Sequence, residues 1–537
     1  MGFLLSTEGH RRPAMAMRMT GKTAKHSQKS ATIDRHAPVW MSSKQLRVLL
    51  LALSMLAVFL PAMPNARANE ASTSLAEVLE TIGADELHDL GWTGAGIDIA
   101  VIDTGVNAVA GLDGFNKVIH GPDLSFESGT QFYAQDTYGH GTAMASIIAG
   151  DGDGYQGVAP GARILSLKVA DNTGAVDVSQ VIAALDWVTQ YGQGEGLNVR
   201  VINLAYVTPS MQPYEIDPLA DAVERAWEAG YVVVVSAGNE GVSTGGLSSP
   251  ATDPFVIAVA AAEGEGVADF SAAGTQRIPD VMAPGNRILA LAALDSRLAQ
   301  EHPDAIIDGR LLRGSGTSQA AAVVSGSAAL LLQQRPDLTP DQVKALLITG
   351  AVHKRGNGNN GNSNGNGNGR GPFGGIYDFF EATPADRDLD PTIMADLLDD
   401  VDTLFASWDG SGRGGIKFDK QGGSGMVDLA RSTALPRLEV TQQFATSDGS
   451  GTLEASRGGN HIVLPDGTIL EGEVTFTGSS WTGSSWTGSS WTGSSWTGSS
   501  WTGSSWTGSS WTGSSWTGSS WTGSSWTGSS WTGSSWT

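Results

Sequence analysis

An α/β fold built on a parallel sheet is predicted for this 537-residue chain by three stretches. Ile99-Ala100-Val101-Ile102 and Val232-Val233-Val234-Val235 are short, apolar and rich in β-branched residues, the pattern of strands buried on both faces. Ala320–Leu332 is almost entirely small or apolar over a length that suits a buried helix. In open parallel sheets, sites form at the carboxyl ends of strands. The first of these strands ends there in Asp103-Thr104-Gly105.

Taken in order, the chain opens with basic, poorly patterned residues. Lys44 and Arg47 then precede an apolar run, Val48–Leu60, and Ala66-Arg67-Ala68 gives a small-x-small cleavage pattern before Asn69. The run is short for a membrane span and has the flanks of a secretory signal peptide, with a retained anchor as the alternative. Residues 1–68 are therefore read as a signal region, and the true start is expected at Met41. Residues 1–68 hold 10 of the 32 Lys/Arg and 2 of the 55 Asp/Glu, so the remainder carries a net charge of −31. Such a surface repels nucleic acid and anionic membranes, and neither is an expected partner. The chain has no cysteine, which excludes a disulfide framework and cysteine-based metal or redox sites. Next, Ala71–Ile82 has capping and spacing for a short helix with Leu75, Val78, Leu79 and Ile82 on one side.

Four short motifs then carry chemistry. Asp103 follows the first strand, His140 sits in Gly139-His140-Gly141-Thr142, Asn239 follows the Val232–Ser236 strand, and Ser318 sits in Gly314-Ser315-Gly316-Thr317-Ser318-Gln319-Ala320. Each motif alone is common. A serine is a weak nucleophile near neutral pH and needs a base to take its proton. A carboxylate on the other imidazole N–H fixes the tautomer and stabilises the imidazolium. Ser318 stands at the start of a helix, where free backbone N–H groups face a developing oxyanion, and the Asn239 amide could stand beside them. Intervals of 37, 99 and 79 residues place all four in one domain-sized stretch, in the order Asp, His, Ser.

Over about Gly83–Ala351, with a return near Gly422–Ala434, the sequence resembles the subtilase family of serine proteases. The matching stretches are Ala100–Val106, Asp136–Thr142, Gly157–Gly161, Val201–Leu204, Val232–Gly241, Ala283–Gly285 and Gly314–Gly326. The resemblance implies a largely parallel seven-stranded sheet flanked by helices, and endopeptidase activity on protein or peptide substrates. Asp103, His140 and Ser318 map onto the family triad and Asn239 onto its oxyanion Asn. Substrate would lie as an extra strand between Gly174-Ala175-Val176, running into Asp177, and Ala205-Tyr206-Val207. The pocket before the scissile bond would be formed by Ala205-Tyr206-Val207 and Ser236-Ala237-Gly238. Departures are Gln319 in place of an apolar residue, Val207 in place of glycine, and the absence of the proline that usually follows the serine. Secreted members usually carry a pro-domain, yet between Asn69 and Gly83 there is room only for the short helix. No cofactor is expected. Calcium is weighed at the Asp151-Gly152-Asp153-Gly154 loop, where a solvated turn is the simpler reading, and at Asp386–Asp390. At the latter, Pro391 and Leu397 replace the residues a calcium loop requires, and an acidic helix cap fits better.

These readings divide the chain into a catalytic domain (69–351), an Asn/Gly-rich and acidic insertion (352–421), the domain's closing turn and helix (422–436), a small β segment (437–476) and TGSSW repeats (477–537). The repeats place twelve tryptophans at a period of five without a charge. They are read as a disordered, low-complexity tail, with a multivalent adhesive for cell wall, polysaccharide or self as the functional alternative and a β-solenoid as the regular one. The expected function is a secreted or surface-held bacterial serine endopeptidase. Its rival is an inactive scaffold that adheres through the tryptophan repeats.

Overall fold

The computed structural model describes residues 72–352 and 421–478, apart from positions 195, 245, 275, 276, 439, 465 and 466, and the backbone of strand segments between 480 and 532. The signal region read over 1–68, the start at Met41, and positions 353–420 of the insertion with its Asp386–Asp390 run lie outside the described residues.

Seven strands run parallel in one sheet: β1 (Asp98–Asp103), β2 (Val118–Asp123), β3 (Arg163–Lys168), β4 (Val199–Leu204), β5 (Val232–Ser236), β6 (Ile257–Glu263) and β7 (Val281–Pro284). Their order across the sheet is β7-β6-β5-β4-β1-β3-β2, and a two-residue strand, Gly266–Val267, adds an antiparallel edge to β6. Every residue of β1 and β5 is buried, because helices cover both faces. The α/β class and the parallel sheet are as expected. β1 pairs with β3 on one side and β4 on the other, so the winding reverses there. The crevice at its carboxyl end is the place where such sheets bind ligands.

Six helices bear on the site and its surroundings. The first is α1 (Leu75–Ile82), and the next three are α2 (His140–Ala149), α3 (Val178–Tyr191) and α4 (Pro218–Glu228). They are followed by α5 (Thr317–Gln334) and α6 (Pro340–Gly350). Helix α1 starts from a capping box, Ser74 with Glu77, and buries Leu75, Val78, Leu79 and Ile82, the stripe legible in its spacing. Asp177 and Asp217 cap α3 and α4 by accepting from Ser179 N and Leu219 N. Helix α5 is buried continuously from Thr317 to Leu332, which its composition anticipates.

At the insertion, Val352 and Met426 exchange backbone hydrogen bonds of 2.8 and 3.0 Å, so the chain leaves and re-enters the domain at one point. Met426 also bridges Met282 of β7, and α7 (Leu429–Ala434) then packs on α6. Residues 437–476, whose alternation is read as a small β segment, include among the described residues an isolated bridge, Val463 to Ile469, and a short helix, α8 (Leu453–Arg457). In the repeats, apart from Ser480–Trp481, which pairs antiparallel with Trp486–Thr487, described strand backbone pairs in parallel at an offset of four pentads, as in Ser485–Ser505, Trp491–Trp511, Trp496–Trp516 and Ser505–Ser525. That is the register of stacked coils.

Candidate active site

Asp103 is the last residue of β1 and His140 the first of α2. Both Asp103 carboxylate oxygens face His140 Nδ1, at 2.8 and 2.9 Å. A carboxylate only accepts, so Nδ1 holds the proton and Nε2 is left as the base. The approach is close because Gly141 lies against the carbonyl of Gly105, where a Cβ would collide with backbone. Burial pulls the His140 pKa down, but the charge and hydrogen bond of Asp103, with the charge of Asp136, outweigh it and hold the imidazole above its ordinary value.

A buried carboxylate not assigned from the sequence supports this pair. Asp136 accepts from Gly139 N (2.6 Å), Thr142 N (2.8 Å), Thr142 Oγ1 (2.6 Å) and Thr104 Oγ1 (2.7 Å). Thr104 in turn accepts from Gly141 N and donates its own N–H to Asp103 Oδ1. The Asp-Thr-Gly and Gly-His-Gly-Thr motifs are thereby welded into one network. Burial raises the Asp136 pKa against the opposing effect of its four hydrogen bonds. The stretch Asp136–Thr142 is visible as a motif, but nothing in the letters assigns Asp136 its four donors.

Ser318 is the second residue of α5 and is 6% exposed. Asn239 Oδ1 accepts from Thr317 N (2.8 Å) and Thr317 Oγ1 (3.0 Å), and its Nδ2 lies toward Gly316, two residues before Ser318. Gly238, at φ +115°, makes the turn that brings Asn239 there and donates to Thr317 Oγ1. Helices α2 and α5 both begin at the carboxyl edge of the sheet. The carbonyl of Ile148 lies against Gly326, and eight residues back along each helix stand His140 and Ser318. No hydrogen bond joins Ser318 to His140 among the described residues. Such bonds are often long before substrate binds.

The other residues singled out by sequence lie around this crevice. Gly174, Ala175 and Val176 follow β3, and Ala205, Tyr206 and Val207 follow β4; all six are partly exposed. Ser236 ends β5, Ala237 and Gly238 follow it, and all three are buried. Gly174, at φ +76°, packs on the ring of Tyr138. Gln319, 3% exposed, leaves Oε1 without a partner next to Gly316, at the rim formed with Asn239. The Asp151 loop is a tight hairpin, Asp151–Gly152 pairing with Tyr155–Gln156. Among the described residues, no three His, Cys, Asp or Glu are grouped to hold a metal ion.

Known proteins share this arrangement of sequence. The profile of the subtilase family matches residues 94–369, just over half of the chain. Serine protease AprX of Bacillus subtilis is 34% identical over 277 residues, covering 48% of this chain and 62% of its own length. Subtilisin E of the same organism is 33% identical over 297 residues, covering 53% of this chain and 68% of its own. The chain thus spans about two thirds of these relatives. The crystal structure of a cold-adapted subtilisin-like serine proteinase matches 55% of this chain and 88% of its own, at 27% identity and a TM-score of 0.40.

Proposed function

The chain belongs to the subtilase family, that of the subtilisin-like serine endopeptidases, and from that premise we propose that it hydrolyses protein and peptide substrates through Asp103, His140 and Ser318. Ser318 Oγ attacks the scissile carbonyl as its proton passes to His140 Nε2. Asp103 holds Nδ1 and stabilises the imidazolium. The oxyanion is received by Asn239 Nδ2 and the Ser318 N–H at the start of α5. Collapse of the tetrahedral intermediate breaks the C–N bond, and His140 returns its proton to the leaving amine. Water, deprotonated by His140, then attacks the acyl-enzyme, and release of the acid regenerates Ser318.

The single observation that carries this reading is the Asp103–His140 pair, which commits the proton to Nδ1 and frees Nε2. The Asn239 orientation, fixed through Oδ1 by Thr317, supports the oxyanion role. Secretion rests on the Lys44–Ala68 pattern. Among the described residues no helix is long and apolar enough to cross a membrane. Extended peptide would lie between 174–176 and 205–207, with the tryptophan repeats as the part that adheres to cell wall, polysaccharide or self.

The test is the full chain and its Ser318→Ala variant, each treated with a fluorophosphonate probe and assayed on casein. Labelling and hydrolysis present in the wild type and absent in the variant are expected. A folded wild type that neither labels nor cleaves would overturn the enzyme reading in favour of the adhesive scaffold.

A further inference from the structure

Any substrate at the lip of β1 is walled by the loops after its two neighbours, residues 169–177 after β3 and 205–217 after β4. Each loop ends on the N-cap of a helix, Asp177 for α3 and Asp217 for α4. Helix α8, from far downstream in sequence, touches both. Arg457, 1% exposed, directs Nε to Asp177 Oδ2 at 2.5 Å and Nη2 to Asp177 Oδ1 at 3.3 Å. Its other contacts are to the carbonyls of Gly472 and Val474, and Nη1 also lies 3.7 Å from Glu454. On the opposite wall, Ser456 Oγ donates to Asp217 Oδ1 at 2.7 Å, and the Ser456 carbonyl accepts from Thr208 Oγ1. Met211 N donates to Ala455 O at 3.0 Å. Phe476 N closes the circuit on Ser179 Oγ, itself bonded to Asp177.

A fully buried Arg–Asp pair is costly unless its hydrogen bonds are made, and here the guanidinium fork is matched nearly donor for donor. Its location distinguishes it from a general packing device. Asp177 is the residue directly after Gly174–Val176, and Thr208 the residue directly after Ala205–Val207. The Tyr206 phenol is pushed up by burial and by Asp177, with Arg457 opposing, so its ring lies among the same charges.

We propose that Arg457 is a positioning residue for substrate: through α8 it fixes the separation of the two crevice walls so that an extended peptide fits between them. The proposal rests on the reading of the crevice as a peptide groove. It assigns residues 447–476 a part in substrate selection although they lie outside the stretch matched by the family profile.

The experiment uses the full chain with Arg457→Met and Arg457→Lys. Steady-state kinetics are measured on p-nitroanilides carrying one to five residues on the acyl side, with the rate of fluorophosphonate labelling and Tm alongside. KM is expected to rise about tenfold for the four- and five-residue substrates and less than twofold for the one-residue substrate, with kcat and labelling rate unchanged. Lysine restores charge but not the fork, and should recover less than half of the loss. A lower Tm with every KM unchanged, or an equal KM rise at all lengths, overturns the proposal and leaves Arg457 purely structural. Should Arg457→Met not fold, Ser456→Ala leaves the buried ion pair intact, and it must then raise KM about threefold for long substrates only. A flat length profile there also refutes the idea. If the wild type itself neither hydrolyses any substrate nor labels, the peptide-groove reading fails, and the proposal with it.

Discussion

The smallest-scale consequence concerns His140. Its pKa is held up by two carboxylates, Asp103 in contact and Asp136 farther off. The acid limb of kcat/KM should therefore lie above the ordinary imidazole range, with activity falling as pH falls through it. Asp136→Asn removes the more distant charge while keeping an acceptor. The limb is expected to move to lower pH, with a lower Tm from the donors left unmatched; a pH–rate profile of the two proteins measures the shift. Gln319 gives a prediction of opposite sign for stability. Its Oε1 is buried without a partner, and Gln319→Met removes that unsatisfied acceptor at similar volume. A gain of about 1 kcal/mol in unfolding free energy is expected, read from denaturant midpoints at constant m.

Among the elements, α4 carries a pH dependence for folding. Burial raises both Glu224 on α4 and Asp253 above the usual carboxylate range, with the Asp253 charge raising Glu224 further. Glu224 also accepts from Ser447 N at 2.9 Å through both oxygens, so the pair holds the C-terminal segment as well. The sign comes from the raised values. The folded state keeps a proton that the unfolded chain has released, so this contribution is complete at low pH. It is lost progressively as pH rises from the ordinary carboxylate range through the raised values, about 7 for Asp253 and about 8 for Glu224. Tm should fall over that window, and Glu224→Gln should flatten the fall; a Tm–pH series on both proteins checks it. Helix α1 offers a simpler test of the N-terminal segment. Ser74→Ala removes the hydroxyl half of a capping box, leaving the backbone N–H to Glu77, and should cost about 1 kcal/mol in unfolding free energy.

For the whole molecule, residues 440–476 act as a strap along one side of the domain. Gln442 bonds buried Lys344 at 2.9 Å, Ser447 bonds Glu224, Ser456 bonds Asp217, Arg457 bonds Asp177 and Phe476 bonds Ser179. Burial lowers the Lys344 pKa to about 8 despite the ion pair with Asp280, so this anchor too is tuned by its surroundings. Ending the chain after Phe476 removes the repeats and keeps every one of these bonds. That protein is expected to retain the Tm and the peptide hydrolysis of the full chain. Ending it after Leu438 uncovers buried Asp177, Asp217 and Glu224 together and is expected to lower Tm by about 10 °C or more, roughly 3 kcal/mol of lost contacts. Thermal melts of the two truncations decide between a strap and a dispensable extension.

Much of this was legible in the amino-acid order. Period and composition set the strand cores, the buried helix α5 and the stripe of α1, because burial on both faces demands uninterrupted apolar residues. The order Asp103, His140, Asn239, Ser318, each beside glycine or another small residue, marked the candidate site because close backbone approach needs such neighbours. The roles of Asp136 and Arg457 were not legible. A charged residue is read from sequence as solvent-facing, and only its partners make burial tolerable. Asp136 finds four donors within one turn of chain and across to Thr104, whereas Arg457 meets Asp177 across 280 residues. Local pattern thus determined which segments are buried and where chemistry could sit. The tertiary structure decided which distant carboxylate neutralises which buried cation, since that choice depends on proximity in space, which no local periodicity encodes.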